Sequence, residues 1–199
     1  MARSAVSSFD FDASLAEWNV SAESWLASNE ARLRQKQPRR LDGLATSVVV
    51  FNPEGKMLVV QRAGHDSMPH RWEIPGGAVD RDDPTILHGA ARELREEAGL
   101  VAVRFRQLAA EGEGEDLAVF SNRNGTRWFC RFAFHVDVES CQDVRLDPAE
   151  HQAFVWASEE EVRDQTMDGR DLPITYKSMR ALILEAFKSR RARNEACSL

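Results

Sequence analysis

The stretch from Ile74 to Leu100 constrains the fold more than any other part of the chain. It opens on Pro75-Gly76-Gly77, crosses a polar loop, and then runs from Pro84 to Gly99 without another proline. Asp82 or Asp83 is placed to cap a helix there, and Pro84 suits its first turn because the missing amide would have no partner. Gly99 suits the left-handed position just past the end. At about 100° per residue, Leu87, Ala90, Ala91, Leu94 and Ala98 fall on one arc, which predicts the buried side. Glu93, Glu96 and Glu97 fall on another.

That second arc is costly for stability. Carboxylates at i, i+3 and i+4 repel one another by about 0.2–0.5 kcal/mol per pair. They also sit at the negative end of the helix dipole, where each is disfavoured by about 0.3–1 kcal/mol. Arg92 and Arg95 offset part of this, although the helical projection points Arg92 off the acidic arc. A hard divalent cation reverses the argument, because clustered carboxylate oxygens are what it binds. The competing reading is a solvated helix face with local Glu–Arg pairs.

The flanking segments predict a domain of strands and helices. Residues 14 to 34 carry Leu15, Trp18, Ala22, Trp25, Leu26 and Leu33 on one stripe, which predicts a single amphipathic helix. Ser14 and Glu17 have the capping-box spacing. The stripe reads as a helix packed on the domain, or as a homodimer contact or lid over a ligand. Gln35 to Arg40 reads as a linker. Ala45 to Phe51 and Lys56 to Arg62 flank Asn52-Pro53-Glu54-Gly55 and predict a hairpin. Arg104 to Ala110 and Leu117 to Phe120 are weaker strands. Arg127 to Val138 is the clearest, with Trp128, Cys130, Phe132, Phe134, Val136 and Val138 on one face and Arg127, Phe129, Arg131 and His135 on the other. Ala153 to Trp156 is a further strand, Glu159 to Arg163 starts a helix, and Tyr176 to Lys188 closes the fold. The basic segment from Lys188 to Arg193 is expected to fray. The expected organisation is a helical extension over 1–40, a domain over 41–190 and a flexible tail over 191–199.

Composition excludes several classes. No apolar run reaches the ~20 residues of a membrane-spanning helix. A net charge of −6 argues against non-specific nucleic-acid binding. Three cysteines, Cys130, Cys141 and Cys197, without a CxxC spacing argue against a disulfide framework or a zinc site. The first ten residues lack the apolar stretch of a secretory signal, and the expected compartment is the cytoplasm. Cys197-Ser198-Leu199 differs from a peroxisomal tripeptide in its non-basic middle residue.

Gly76-Gly77 followed by Arg92-Glu93-Leu94-Arg95-Glu96-Glu97-Ala98-Gly99-Leu100 resembles the signature of the Nudix hydrolase family, G-x5-E-x7-R-E-U-x-E-E-x-G-U with U bulky and apolar. The second half matches at every fixed position, Trp72 and Pro75 are also typical, and a looser likeness extends from Leu44 to Trp156. The first half departs from the pattern. Counted from Gly77 the family's first Glu falls at Asp83, and counted back from Arg92 it falls at Pro84. The loop is one residue longer, and that Glu is missing or replaced by Asp82 or Asp83. In the family it supports the loop and pairs with the signature Arg.

The resemblance implies an α/β fold, an α/β/α sandwich with a mixed sheet, here with an added N-terminal helix. It implies hydrolysis of a diphosphate linkage in a nucleoside diphosphate derivative or related compound, with Mg²⁺ or Mn²⁺. Carried over by position, Glu93, Glu96 and Glu97 and the Gly76 carbonyl are the metal ligands, and Glu96 is a candidate catalytic acid. A base or further ligand comes from a later loop in this family. Leu146-Asp147-Pro148-Ala149-Glu150-His151 resembles that loop, which makes Glu150 the catalytic candidate and Asp147 the next. Arg62, Arg127 and Phe129 are candidates for holding phosphate oxygens and a base, with surface ion pairs as the alternative for the arginines. The acidic run Glu111, Glu113, Glu115 and Asp116 reads as a solvated loop or a mobile loop near the metal. The altered first half leaves an alternative: a module that binds a nucleotide or metabolite without cleaving it. Long nucleic acid is disfavoured as a partner by the acidic balance.

Overall fold

The computed structural model describes residues 8–36, 40–109, 118–122 and 124–196. The acidic run 111–116, most of the linker after Lys36 and the tripeptide 197–199 lie outside the described residues. In chain order the first elements are strand β1 (Asp10–Phe11), a 3-10 helix (Ala13–Trp18), helix α1 (Ala22–Ser28) and α2 (Glu30–Lys36). Strands β2 (Gly43–Val49), β3 (Met57–Arg62) and β4 (Trp72–Glu73) precede helix α3 (Ile86–Ala98). Then come β5 (Ala102–Ala109), β6 (Ala118–Ser121), β7 (Trp128–Val138), β8 (His151–Ala157), α4 (Glu159–Asp164) and α5 (Lys177–Ala196).

Strand β7 organises the larger sheet. It pairs parallel with β2 along Phe129–His135 and antiparallel with β5 and then β6. Strand β1 adds in parallel outside β5. The sheet is therefore mixed. A second sheet runs in the order β4-β3-β8.

Alternation along β7 sets the two layers of the core. Cys130, Phe132, Phe134 and Val136 face Ile86, Leu87, Ala90, Leu94 and Ala98 of α3 in one cluster. Ala133 on the opposite face joins Val49, Met57 and Val59 in a second, covered by Val162 of α4 and Met179, Leu182, Ile183 and Phe187 of α5. Helices thus lie on both sides of the strands, the sandwich architecture expected from the resemblance. Each layer buries the stripe its sequence period defines.

The N-terminal segment differs from the single helix expected over 14–34. It is a 3-10 turn followed by two short helices. Ser21 is extended and caps α1, its hydroxyl accepting from the Ser24 amide at 3.2 Å, so the chain breaks at Asn19–Ser21. The first cap is Asp12, which accepts from the Ser14 amide at 2.9 Å, in place of a Ser14–Glu17 box. The apolar stripe survives the break. Leu15, Trp25 and Leu33 are buried in the chain's own core, with Trp25 edge-on to Phe132 at 4.8 Å.

The hairpin expected over 45–62 also forms only in part. Its turn closes, with Gly55 N–H donating to Asn52 at 3.0 Å and Leu58 N–H to Val50 at 2.9 Å. Beyond it the strands enter different sheets. The free edge of β2 is taken by the glycine loop, with Thr46 N–H donating to the Gly77 carbonyl and Val48 N–H to the Pro75 carbonyl, both at 2.8 Å. At the other end, α5 continues through Ala196 past the expected fraying point. Among the described residues no helix is long and apolar enough to cross a membrane.

Trp25→Ala removes a fully buried ring and its hydrogen bond to Glu17, and its expected cost is about 3–5 kcal/mol. Urea denaturation measures it, and Glu17→Ala is expected to cost about 1 kcal/mol in the same assay.

Candidate active site

The site begins with two glycines, the first of which nothing larger can replace. Gly76 has φ +151°, and a Cβ there would lie 2.1 Å from the Thr46 carbonyl oxygen of β2. A Cβ on Gly77 would meet the Glu93 carboxylate at 2.7 Å. Bare backbone is what allows the loop to run between β2 and the acidic face of α3. The Gly76 amide donates to Glu97 at 2.7 Å, fixing that carboxylate against the loop.

Helix α3 ends as the sequence predicts, with Gly99 left-handed at φ 70°. It starts differently: the cap is Thr85, not Asp82 or Asp83, and Pro84 lies before the cap. Asp83 has another role. It is buried and accepts from Arg92 through both oxygens, at 2.9 and 3.0 Å, and from the Asp80 amide at 2.8 Å. It therefore supports the loop and holds the signature arginine, the role the resemblance assigns to the absent Glu.

Arg92 is only 8% exposed and sits at the centre of the charge network. Its guanidinium also donates to Glu93 at 2.9 Å, to Glu96 at 2.8 Å and to the Ala78 carbonyl at 2.9 Å. This corrects the expectation that Arg92 points away from the glutamates. The stem leaves the arc, but its length lets the head fold back. Burial pushes its pKa down, yet the hydrogen bonds to Asp83 and the neighbouring carboxylates outweigh that, so it stays charged.

One cation does not neutralise the acids around it. Burial pushes the Glu93 carboxyl up to about 7 against the pull of Arg92, with Glu96 and Glu150 pushing the same way. Glu97, 4% exposed, is driven well above the usual range by burial and by its shared hydrogen bond with Glu150. The Glu150 loop is docked by the Ala63 amide, which donates to the Glu150 carbonyl at 2.8 Å. Glu96 lies at the rim, its side chain half exposed. Thus Glu93, Glu96, Glu97, Gly76 and Glu150, named from sequence, come together at the end of α3.

The other candidates lie differently. Arg62 is held by Glu73 and Asp66, the ion-pair arrangement that was its alternative. Arg127 is exposed, in the turn just before β7. Phe129 stacks on Phe120 at 5.7 Å, and the Arg131 guanidinium lies 4.6 Å over the Phe120 ring. Sequence reasoning passed over His151 and Glu73. A ring nitrogen of buried His151 joins the Glu97 and Glu150 carboxylate oxygens within 4.8 Å of one another. The signal was the Glu150-His151 pair itself, too common to single out.

Oxygen donors dominate this group, and they carry more negative charge than Arg92 offsets, so the residues present fit a divalent cation. Asp83→Ala strips the bidentate partner from buried Arg92 while Glu93 and Glu96 still hold it. The expected loss is about 3 kcal/mol, the low end for breaking a buried pair, read by chemical denaturation.

Comparison with known proteins agrees with this geometry. The NUDIX domain family profile matches residues 41–177. The CTP pyrophosphohydrolase of Escherichia coli (strain K12) is 31% identical over 148 residues, covering 74% of this chain and 93% of that protein. The Nudix hydrolase YfcD of the same strain is 29% identical over 168 residues, 84% of this chain and 83% of that one. A crystallised MutT protein from Methanosarcina mazei Go1 shares the fold, with a TM-score of 0.57 at 22% identity over 75% of this chain and 94% of its own. A glycine loop on β2, a signature arginine clamped by Asp83 and a glutamate-bearing helix, inside a profile that spans most of the chain, mark it as a member of the Nudix family, a metal-dependent hydrolase of diphosphate linkages.

Proposed function

We propose that Glu93, Glu97 and Glu150, with the Gly76 carbonyl, hold Mg²⁺ or Mn²⁺, and that the substrate is a nucleoside triphosphate or a related small nucleoside diphosphate derivative. The approach of the Glu150 loop to Glu97 carries this reading, because it joins a distant carboxylate to the helix cluster. The CTP-cleaving relative supports the nucleotide class. A Phe120–Phe129 stack with Arg131 over it offers a base an aromatic surface and a cation on one sheet face. Residues 41–190 form the hydrolase domain in this reading, with 1–40 as an N-terminal extension and linker and 191–199 as a tail. Three cysteines in 199 residues, none in a CxxC spacing, fit the cytoplasm as its compartment.

When bound, the cation neutralises diphosphate charge and lowers the pKa of attached water. Glu150, exposed at the mouth, accepts the proton of the attacking water. Glu93 and Glu97 stay fixed, one by Arg92 and the other by the Gly76 amide, so little reorganisation accompanies the charge that develops on the substrate. Glu96, held by Arg92, keeps the rim acidic and is the second candidate for proton transfer. The alternative of a non-cleaving module rested on the missing loop Glu, and the hydrogen bond from Arg92 to Asp83 supports the cleaving reading over it.

Glu97→Gln is expected to lower kcat by about 10²–10³-fold with the fold intact. The measurement is chromatography of products from a panel of nucleoside triphosphates, dinucleotides and nucleotide sugars with Mg²⁺ and Mn²⁺. Full activity in this variant would exclude the proposed site.

The pH dependence has a definite sign. Glu93 and Glu97 are acids whose folded pKa values are raised, so the stability they lend is complete below about 4.5 and is lost as pH rises, for Glu93 through about 7. A cation must displace those protons, so Mn²⁺ affinity is expected to tighten by about tenfold per pH unit for each proton displaced. Calorimetric scans at pH 5.5 and 8, with and without Mn²⁺, should show the larger metal-induced rise in Tm at pH 8.

A further inference from the structure

We infer that His151 supplies a nitrogen ligand to the cation site, completing a Glu97–Glu150–His151 position that prefers Mn²⁺ and similar transition ions to Mg²⁺. The inference rests on the carboxylate reading given above and goes beyond it by adding a donor of different chemistry.

The placement of His151 is the first observation. It follows Glu150 at the start of β8, where its amide donates to the Asp147 carbonyl at 2.9 Å. Its register partner is Arg62, at the point where the β3–β8 pairing shifts. Glu150 belongs to the turn before β8 and His151 is the first residue of the strand, so the two neighbours are not bound to opposite faces by strand alternation. One donor atom from each of Glu97, Glu150 and His151 lies within 4.8 Å of the others.

The second observation is independent of the acids. His151 is 3% exposed, and its Nδ1 is buried with no hydrogen-bond partner. A neutral core histidine ordinarily satisfies both ring nitrogens. Here Nε2 faces Glu73 Oε1 at 3.6 Å, and Glu73 is anchored in turn by Arg62, which also binds Asp66. A carboxylate close to the ring helps to orient a metal-binding imidazole and raises its basicity. A histidine serving only the core explains the Glu73 contact but neither the vacant nitrogen nor the carboxylates beside it.

Ligand chemistry then sets the preference. Mg²⁺ takes oxygen ligands and keeps its waters, whereas imidazole favours first-row transition ions. Arg62, considered from sequence as a phosphate ligand, acts in this arrangement as a positioning residue through Glu73.

Electron spin echo spectroscopy of Mn²⁺ bound to the full chain tests this without relying on turnover. The expected result is a coupling to directly bound ¹⁴N that changes to the ¹⁵N pattern when histidine is labelled, which needs no substitution. His151→Gln should abolish the coupling and weaken Mn²⁺ binding by about 10–100-fold. Mg²⁺ affinity, read by competition, should change less than about threefold. A spectrum with oxygen ligands alone, from Mn²⁺ whose affinity still falls in Glu97→Gln, overturns the histidine assignment and leaves the carboxylate site standing. Mn²⁺ affinity indifferent to Glu97→Gln overturns the carboxylate site and the histidine assignment with it.

Discussion

The bare backbone of Gly76 and Gly77, pressed between β2 and Glu93, is the constraint from which the rest of the architecture follows. Because the Pro75 and Gly77 carbonyls occupy the free edge of β2, β3 cannot extend its hairpin there and leaves to build the second sheet with β4 and β8. That departure places Ala63, at the end of β3, against the Glu150 loop. The same loop offers its Gly76 amide to Glu97. One close approach thus divides the strands into two sheets and brings the carboxylates of two distant segments together.

Charge balance is the second level. Arg92 is buried among Asp83, Glu93 and Glu96, and a buried cation is tolerable only when its donors are met. Asp83 takes most of that duty through two hydrogen bonds and ties the loop to the helix. What remains is an excess of negative charge beside Glu97 and Glu150. Glu93 and Glu97, two buried carboxyls with raised pKa values, make a poor structural element and a good cation receptor. Function here uses an arrangement that stability alone would not select.

Much of this was legible along the chain. The buried arc of α3, the left-handed Gly99, the inward face of β7 and the three glutamates follow from periodicities of 3.6 and 2, which depend only on local geometry. Glu150 was readable only through resemblance to a family pattern, since no spacing links it to residue 97. The N-terminal helix was misjudged because the apolar stripe continues across Asn19–Ser21, whereas the backbone breaks there to let Ser21 cap α1. The hairpin was misjudged because turn chemistry closes a turn but says nothing of which edge a strand meets afterwards.

By itself the sequence determined where most of the helices and strands lie, which face of each is apolar and where negative charge accumulates, because these depend on neighbours a few positions away. Tertiary structure alone decided that Asp83 takes the place of the family's loop glutamate, that Arg92 folds back onto the acids, and that His151 and Glu150 arrive beside Glu97. Those are meetings of side chains far apart in the chain. Their distances are set by how sheets and loops pack, and no local period encodes them.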